Sequence, residues 1–208
     1  MHSYSIDSGE RKWIPLIIAL VSIPIVIFLR SLWDAWEFPG IYGELKLYIG
    51  FIIDLSVIFF YDIFFRVFDE YLWKCSLFSP IVKAPNLNGK WNGTLDSSHN
   101  KTSDLIDATM EITQTWRNIE IRLKTKNSRS KTVTAAFFTK THDSIELSYQ
   151  YQSNPNPKAI ADLHIHKGTG WIILAPDQKS FEGGYYNGRD NKNHGSLKFE
   201  RVTEVKNE

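Results

Sequence analysis

Two apolar runs constrain this chain more than any other feature. They are "WIPLIIALVSIPIVIFL", Trp13 to Leu29, and "YIGFIIDLSVIFFYDIFF", Tyr48 to Phe65. As helices rising 1.5 Å per residue, the shorter spans about 26 Å, near the lower limit for crossing a bilayer. Pro15 falls in a first turn, where proline is tolerated, and Pro24 lies deeper, where it kinks a helix. Arg11 and Lys12 before the first run resemble the start of a signal peptide. The apolar core is too long for one, however, and Arg30 and "SLWDAW" follow in place of a small-residue cleavage site. A buried pair of soluble helices is the competing reading. The flanking charges and the short connection with Pro39, Gly40 and Gly43 favour a transmembrane hairpin. Arg11, Lys12, Arg66, Lys74 and Lys83 flank the outer ends, against Arg30 and Lys46 in the connection. The positive-inside rule then places both termini in the cytoplasm. The single cysteine, Cys75, excludes an intrachain disulfide and fits a reducing compartment.

The second run carries two carboxylates, Asp54 and Asp62. An ionised carboxylate near the bilayer centre costs at least about 2.5–3.5 kcal/mol. On a helix the two lie about 80° apart and share one half of its surface. They are candidate membrane-function residues. One expectation is that Asp54 is hydrogen-bonded inside the hairpin, for example to Ser22. The other is that the stripe is poorly satisfied in the monomer and is buried, or lines water, when hairpins cluster.

After "SPIVKAPNLNG" the hydrophobic period changes to two, which sets expected domains of 1–85 (hairpin) and 86–208 (soluble). "IDATMEITQTW", "NIEIRLKT" and "SIELSYQY" alternate cleanly. Further strands are expected at Asn88–Leu95, Ser130–Thr139, Ile160–His166, Thr169–Leu174, Ser180–Arg189 and Gly195–Val202. Eight or nine short strands with one apolar face predict an all-β domain. A closed antiparallel up-and-down or meander barrel of about eight strands, lipocalin-like, is expected, with a sandwich as the alternative. The net charge is +1 overall and +3 over 86–208, which argues against a partner of duplex DNA or RNA.

A small barrel either fills itself with side chains or holds one small ligand. The expected inner face is mixed, with Gln114, Trp116, Ser130, Thr132, Thr134, Tyr149 and Tyr151. In "SFEGGYYNGR", Phe181, Gly183, Tyr185, Asn187 and Arg189 share a face. An inward arginine asks for an anionic partner; alternatively Asn187 and Arg189 sit in solvent at the strand end. His164 and His166 share a strand face but have no acidic or cysteine partner at metal-ligand spacing, so no metal and no cofactor are expected. The basic residues between Arg117 and Lys131 fit a solvated hairpin face, or a patch resting on anionic membrane lipids. Residues 86–208 contain no nucleophile–base pair, Walker loop, Rossmann loop or paired-carboxylate site, so the chain is expected not to be an enzyme.

"LNGKWNGTL", "ITQTWRNIEIRLKTKNSRSKT", "LSYQYQSNP", "HKGTG" and "FEGGYYNGRDNKNHG" follow one another in this order after the hairpin. In this the chain resembles the SMODS-associated effectors with two transmembrane helices and a β-strand-rich domain, found in bacterial CBASS anti-phage systems. The resemblance implies a receptor in the bacterial inner membrane. A cognate cyclic-oligonucleotide synthase makes the messenger, typically a cyclic dinucleotide. The barrel binds it, the protein forms a homo-oligomer, the hairpins disrupt the membrane and the infected cell dies.

Inward alternation and residue type, rather than the resemblance, select the ligand contacts. Tyr149, Tyr151 and Trp116 are candidate base-stacking groups, Arg189 the phosphate contact, and Gln114, Ser130, Thr132 and Asn187 the polar contacts. Trp91 is expected to be a structural barrel-floor residue. A membrane-anchored lipocalin-like carrier or sensor of a lipid or other apolar ligand is the alternative function.

Overall fold

The computed structural model describes residues 1–35, 43–98, 105–140, 144–157, 164–187 and 193–202. The chain forms two compact units, Gly9–Val82 and a second made of Met1–Ser8 with Lys83–Glu208.

The first unit contains α1 (Glu10–Ala35) and α2 (Gly43–Glu70), both long and apolar enough to cross a membrane. Ile14, Ile18, Ser22 and Val26 are buried on α1 at every fourth position, which makes one packing seam. Leu20, Ile27 and Phe28 on α1, and Phe51, Ile52 and Ile58 on α2, are exposed. An apolar surface of this kind suits lipid.

Asp54 and Asp62 of α2 are both paired. Arg30 Nη1 donates to Asp54 Oδ2 at 3.1 Å, and its Nε to Asp34 Oδ2 at 3.0 Å. Gly50 makes this possible, because a Cβ there would collide with the Arg30 guanidinium. Asp62 pairs with Arg66 one turn on, at 2.9 Å. Asp54 is thus hydrogen-bonded inside the hairpin, as one expectation had it, but to Arg30 and not to Ser22, and the two carboxylates are not the unsatisfied stripe of the other expectation. Ser22 Oγ donates within its own helix, to the Ile18 carbonyl at 2.8 Å.

The second unit is an eight-stranded closed barrel. Its strands are β3 (Gly89–Ser97), β4 (Ile106–Gln114), β5 (Asn118–Thr125), β6 (Ser128–Phe138), β7 (Glu146–Pro155), β8 (His166–Leu174), β9 (Ser180–Asn187) and β10 (His194–Arg201). Each is antiparallel to the next, and β10 pairs with β3 to close the cylinder. One seam is incomplete. β5 and β6 pair only at Arg122↔Lys131, Leu123↔Ser130 and Lys124↔Arg129. The rest of that gap is filled by the N-terminal strands β1 (His2–Ser3), antiparallel to β5, and β2 (Ser5–Ile6), parallel to β6.

Inward residues change character along the barrel. At one end lie Trp91, Met110, Ile119, Phe137, Leu147, Ile172, Phe181 and Phe199, all at most 2% exposed. This is the apolar floor. Trp91 Nε1 donates to the Leu87 carbonyl at 3.0 Å, and the Arg201 guanidinium lies 4.5 Å from the Trp91 ring centroid. Arg201 also donates to the carbonyls of Asn86 and Asn88, which ties the entering chain across the floor. Toward the other end the same strands turn inward with Ser97, Thr125, Ser130, Tyr151, Ser153 and Asn187.

A bulge between Thr132 and Thr134 breaks the period of β6. The residue after it, Thr134, is exposed, which corrects its expected inward position; Ala135 and Phe137 carry the inner face onward, opposite Tyr149 and Leu147.

Candidate ligand cavity

The polar end of the barrel encloses a cavity of about 470 Å³. That volume lies within the range of small-molecule sites. The ends of β3, β5, β7 and β9 and the starts of β4, β6, β8 and β10 surround it.

Three tyrosines form one wall: Tyr149 and Tyr151 on β7, and Tyr185 on β9. The strand between them, β8, presents Gly170 opposite Tyr149 and Tyr185, and Gly168 opposite Tyr151. A Cβ at Gly168 would strike the end of the Tyr151 ring, and one at Gly170 the end of the Tyr149 ring. The "GTG" of β8 thus lets two large rings lie over bare backbone and leaves the lumen open. Their centroids are 6.2 Å apart at 48°. Burial pushes the Tyr149 and Tyr151 phenols well above the ordinary tyrosine value, and raises Tyr185 too. All three therefore stay neutral donors at physiological pH. Tyr151 Oη donates to Asn187 Oδ1 at 2.6 Å, which orients both groups.

The remaining walls are hydroxyl, amide and aliphatic: Ser97, Thr125, Ser130, Thr132, Ser153 and Asn193, with Leu95, Ile121, Leu123 and Leu197. Asp107, Lys126, His164 and His166 are the other ionisable groups of the lining among the described residues. They sit at strand ends and turns. His166 Nδ1 lies 2.9 Å from the His164 carbonyl, and its ring meets Tyr151 edge-on at 6.4 Å. The lining thus offers amides and hydroxyls for hydrogen bonding, flat tyrosine rings, and near the mouth one lysine, one carboxylate and two imidazoles.

Of the residues expected to bind ligand, Ser130, Thr132, Tyr149, Tyr151 and Asn187 are brought together here. Gln114 and Trp116 are not. Gln114 is buried at the floor. Its Nε2 donates to the Pro85 carbonyl at 3.0 Å, and its Oε1 accepts from Leu87 N–H at 2.9 Å. It fastens the linker, and it is 2% exposed and outside the cavity lining. Trp116 is buried just beyond the floor end of β4. Arg189 lies outside the described residues, two positions past Asn187. Sequence reasoning put Tyr185 on the right face without choosing it as a contact, and missed Ser153 and the histidines as lining groups. Their signal was the strand period extended toward the mouth, since Tyr185 shares a face with Asn187.

Residues 82–201 match the family described as Cap15, cyclic dinucleotide receptor domain. The chain is also similar to CD-NTase-associated protein 15 of Yersinia aleksiciae, with 31% identity over 136 residues. That match covers 65% of this chain and 64% of the relative's length.

Proposed function

This chain belongs to the family of Cap15 cyclic dinucleotide receptor domains, and from that premise we propose that its barrel cavity binds a cyclic dinucleotide. Family membership, two long apolar helices and a closed barrel together fit a CBASS membrane effector. The observation that carries the ligand assignment is the tyrosine wall over Gly168 and Gly170, facing neutral hydroxyls and amides. A fatty acid prefers a continuous apolar lining, whereas two bases need flat aromatic faces and hydrogen-bonding edges. Tyr149, Tyr151 and Tyr185 hold bases. Ser130, Thr132 and Asn187 meet polar edges, and Arg189 meets a phosphate from just beyond Asn187.

The role is recognition rather than catalysis. The ligand comes from a cognate synthase, and its binding drives homo-oligomerisation. The hairpins then disrupt the inner membrane, with both chain termini on the cytoplasmic side. Supporting this division are the lipid-suited surfaces of α1 and α2 and the confinement of the polar cavity to the barrel.

The test is titration of the full chain in detergent with cyclic di-AMP, cyclic di-GMP, cyclic GMP–AMP and palmitate. Saturable binding of at least one cyclic dinucleotide, weakened by Tyr151→Ala, is expected. Saturable binding of palmitate alone overturns the reading in favour of an apolar carrier.

A further inference from the structure

The first eight residues are built into the barrel wall. Tyr4 is buried, with its ring edge-on to Phe137 at 5.1 Å, and its N–H donates to the Arg117 carbonyl at 3.2 Å. Asp7 N–H donates to the Phe137 carbonyl at 3.3 Å. The Asp7 carboxylate accepts from Thr139 N–H, Thr139 Oγ1 and Lys140 N–H, at 2.6–3.1 Å. The registers fix the direction of this strap. It runs from His2, beside Ile119 of β5, to Ile6, beside Phe137 of β6, between the two strands. A single residue, Gly9, separates Ser8 from the start of α1 at Glu10.

The strap also touches the cavity wall. His2 Nε2 lies 3.0 Å from Thr132 Oγ1, and Thr132 lines the cavity. Thr132 Oγ1 also accepts the Ile121 N–H at 3.0 Å, and Ile121 lines the cavity too. His2 Nδ1 is 3.1 Å from the Ser3 carbonyl, an acceptor only, so Nδ1 carries a proton. In the neutral ring Nε2 then accepts, and the donor is the Thr132 hydroxyl. A hydroxyl has one proton. A ligand oxygen that takes it removes the His2 contact.

We propose that the strap couples the cavity to the first apolar helix: an acceptor group of the ligand takes the Thr132 hydroxyl from His2, and the strap leaves the seam. This rests on the cyclic dinucleotide reading above. The seam tolerates the departure in one important respect. Glu120, 5% exposed, accepts from the Met1 ammonium at 3.0 Å, but Lys131 at 2.8 Å and Arg122 also hold it. Its charge stays paired without the strap. The direct β5–β6 pairs nearer the mouth also remain, so the cavity keeps its wall.

A lock tests this. Ser3 and Asn118 are directly opposed on antiparallel strands, where Cα separations of about 4.5–5.5 Å suit a disulfide. In full-length Cys75→Ser protein carrying Ser3→Cys and Asn118→Cys, placed in dye-loaded liposomes, binding and leakage are measured with the same cyclic dinucleotide panel, oxidised and reduced. The oxidised form is expected to bind within about threefold of the reduced form and to leak at least about tenfold less, with leakage restored by reductant. Hydrogen–deuterium exchange on the unsubstituted chain guards against a misfolded variant: ligand is expected to raise exchange over residues 2–7 at least about tenfold. Equal leakage by oxidised and reduced protein, or unchanged exchange in the presence of bound ligand, overturns the coupling and leaves the ligand reading intact. Failure of every cyclic dinucleotide to bind overturns the ligand reading and the coupling with it.

Discussion

Tyr149 and Tyr151 do two things at once, and glycines separate them. Each ring is large enough to fill a small barrel, yet lying over Gly170 and Gly168 they become wall instead of plug. Gly170→Ala is the sharpest probe. The three atoms nearest to its Cβ all belong to the Tyr149 side chain, so the ring is expected to move while the strand survives. We expect affinity for the cyclic dinucleotide to fall about tenfold with unchanged circular dichroism; unaltered affinity would place the ligand elsewhere. Tyr151→Ala removes a stacking face worth about 1–3 kcal/mol. Tyr151→Phe loses only the hydrogen bond to Asn187, a neutral pair worth about 1 kcal/mol, and should bind between Tyr151→Ala and the unsubstituted chain. Arg189→Ala removes a charge-assisted contact of about 1.5–3 kcal/mol. The same affinity measurements decide whether Arg189 belongs to the site. What was legible at these positions was the face each residue presents. Gln114 does point inward, as alternation says, but it sits at the floor and is consumed by the linker. Alternation gives face and not depth, and depth here separates a staple from a ligand contact.

Among the elements, the strands were the most legible, because a barrel wall whose two faces differ in polarity must alternate polar and apolar residues. The strap was not. Two strands of two residues carry no period, and a polar N-terminal flank before an apolar helix reads as a cytoplasmic end. The β6 bulge was equally silent, since one extra residue changes the face without changing composition. Glu120 shows that the strap seam is an electrostatic as well as a backbone feature. The Lys131 hydrogen bond, helped by the Met1 ammonium and the Arg122 charge, holds its carboxyl at about 2, below the ordinary 4.5, against burial, which pulls the other way. A carboxyl with a depressed folded value stabilises the fold above the unfolded value and loses that contribution as pH falls through the folded one. The melting temperature of Glu120→Gln should therefore lie below that of the unsubstituted chain at neutral pH, with the gap closing between about pH 4.5 and pH 2. A gap independent of pH would assign Glu120 to packing alone. In the hairpin, Arg30 and Asp54 form a pair whose halves are costly alone in an apolar setting. Asp54→Leu should reduce leakage and hairpin stability more than Arg30→Leu/Asp54→Leu does, as read by liposome leakage and thermal melts.

For the molecule as a whole, the division between hairpin and barrel does not follow the order of the chain. Residues 1–8 belong with the barrel, and the intervening Gly9–Val82 forms the other unit. A fragment that begins at Lys83 keeps all eight barrel strands but lacks the strap. Its β5 and β6 then expose unpaired backbone beside Asn118–Ile119 and Ala136–Phe137, and the Phe137 ring loses Tyr4. Unpaired sheet edges recruit other strands, and an uncovered aromatic ring adds to that tendency. We expect residues 83–208 to melt several degrees lower than the same fragment given a peptide of residues 1–8 in excess. We also expect it to self-associate on size-exclusion chromatography, and the peptide to suppress that association. The liganded fragment, lacking α1 and α2, should cause no liposome leakage with or without the peptide. A Tyr4→Ala peptide controls for nonspecific effects, because it keeps the backbone pairs but loses the ring that packs on Phe137. If the fragment alone is monomeric and melts at the same temperature with and without peptide, the seam is closed by β5 and β6 themselves, and the strap is only a tether between the barrel and the first helix.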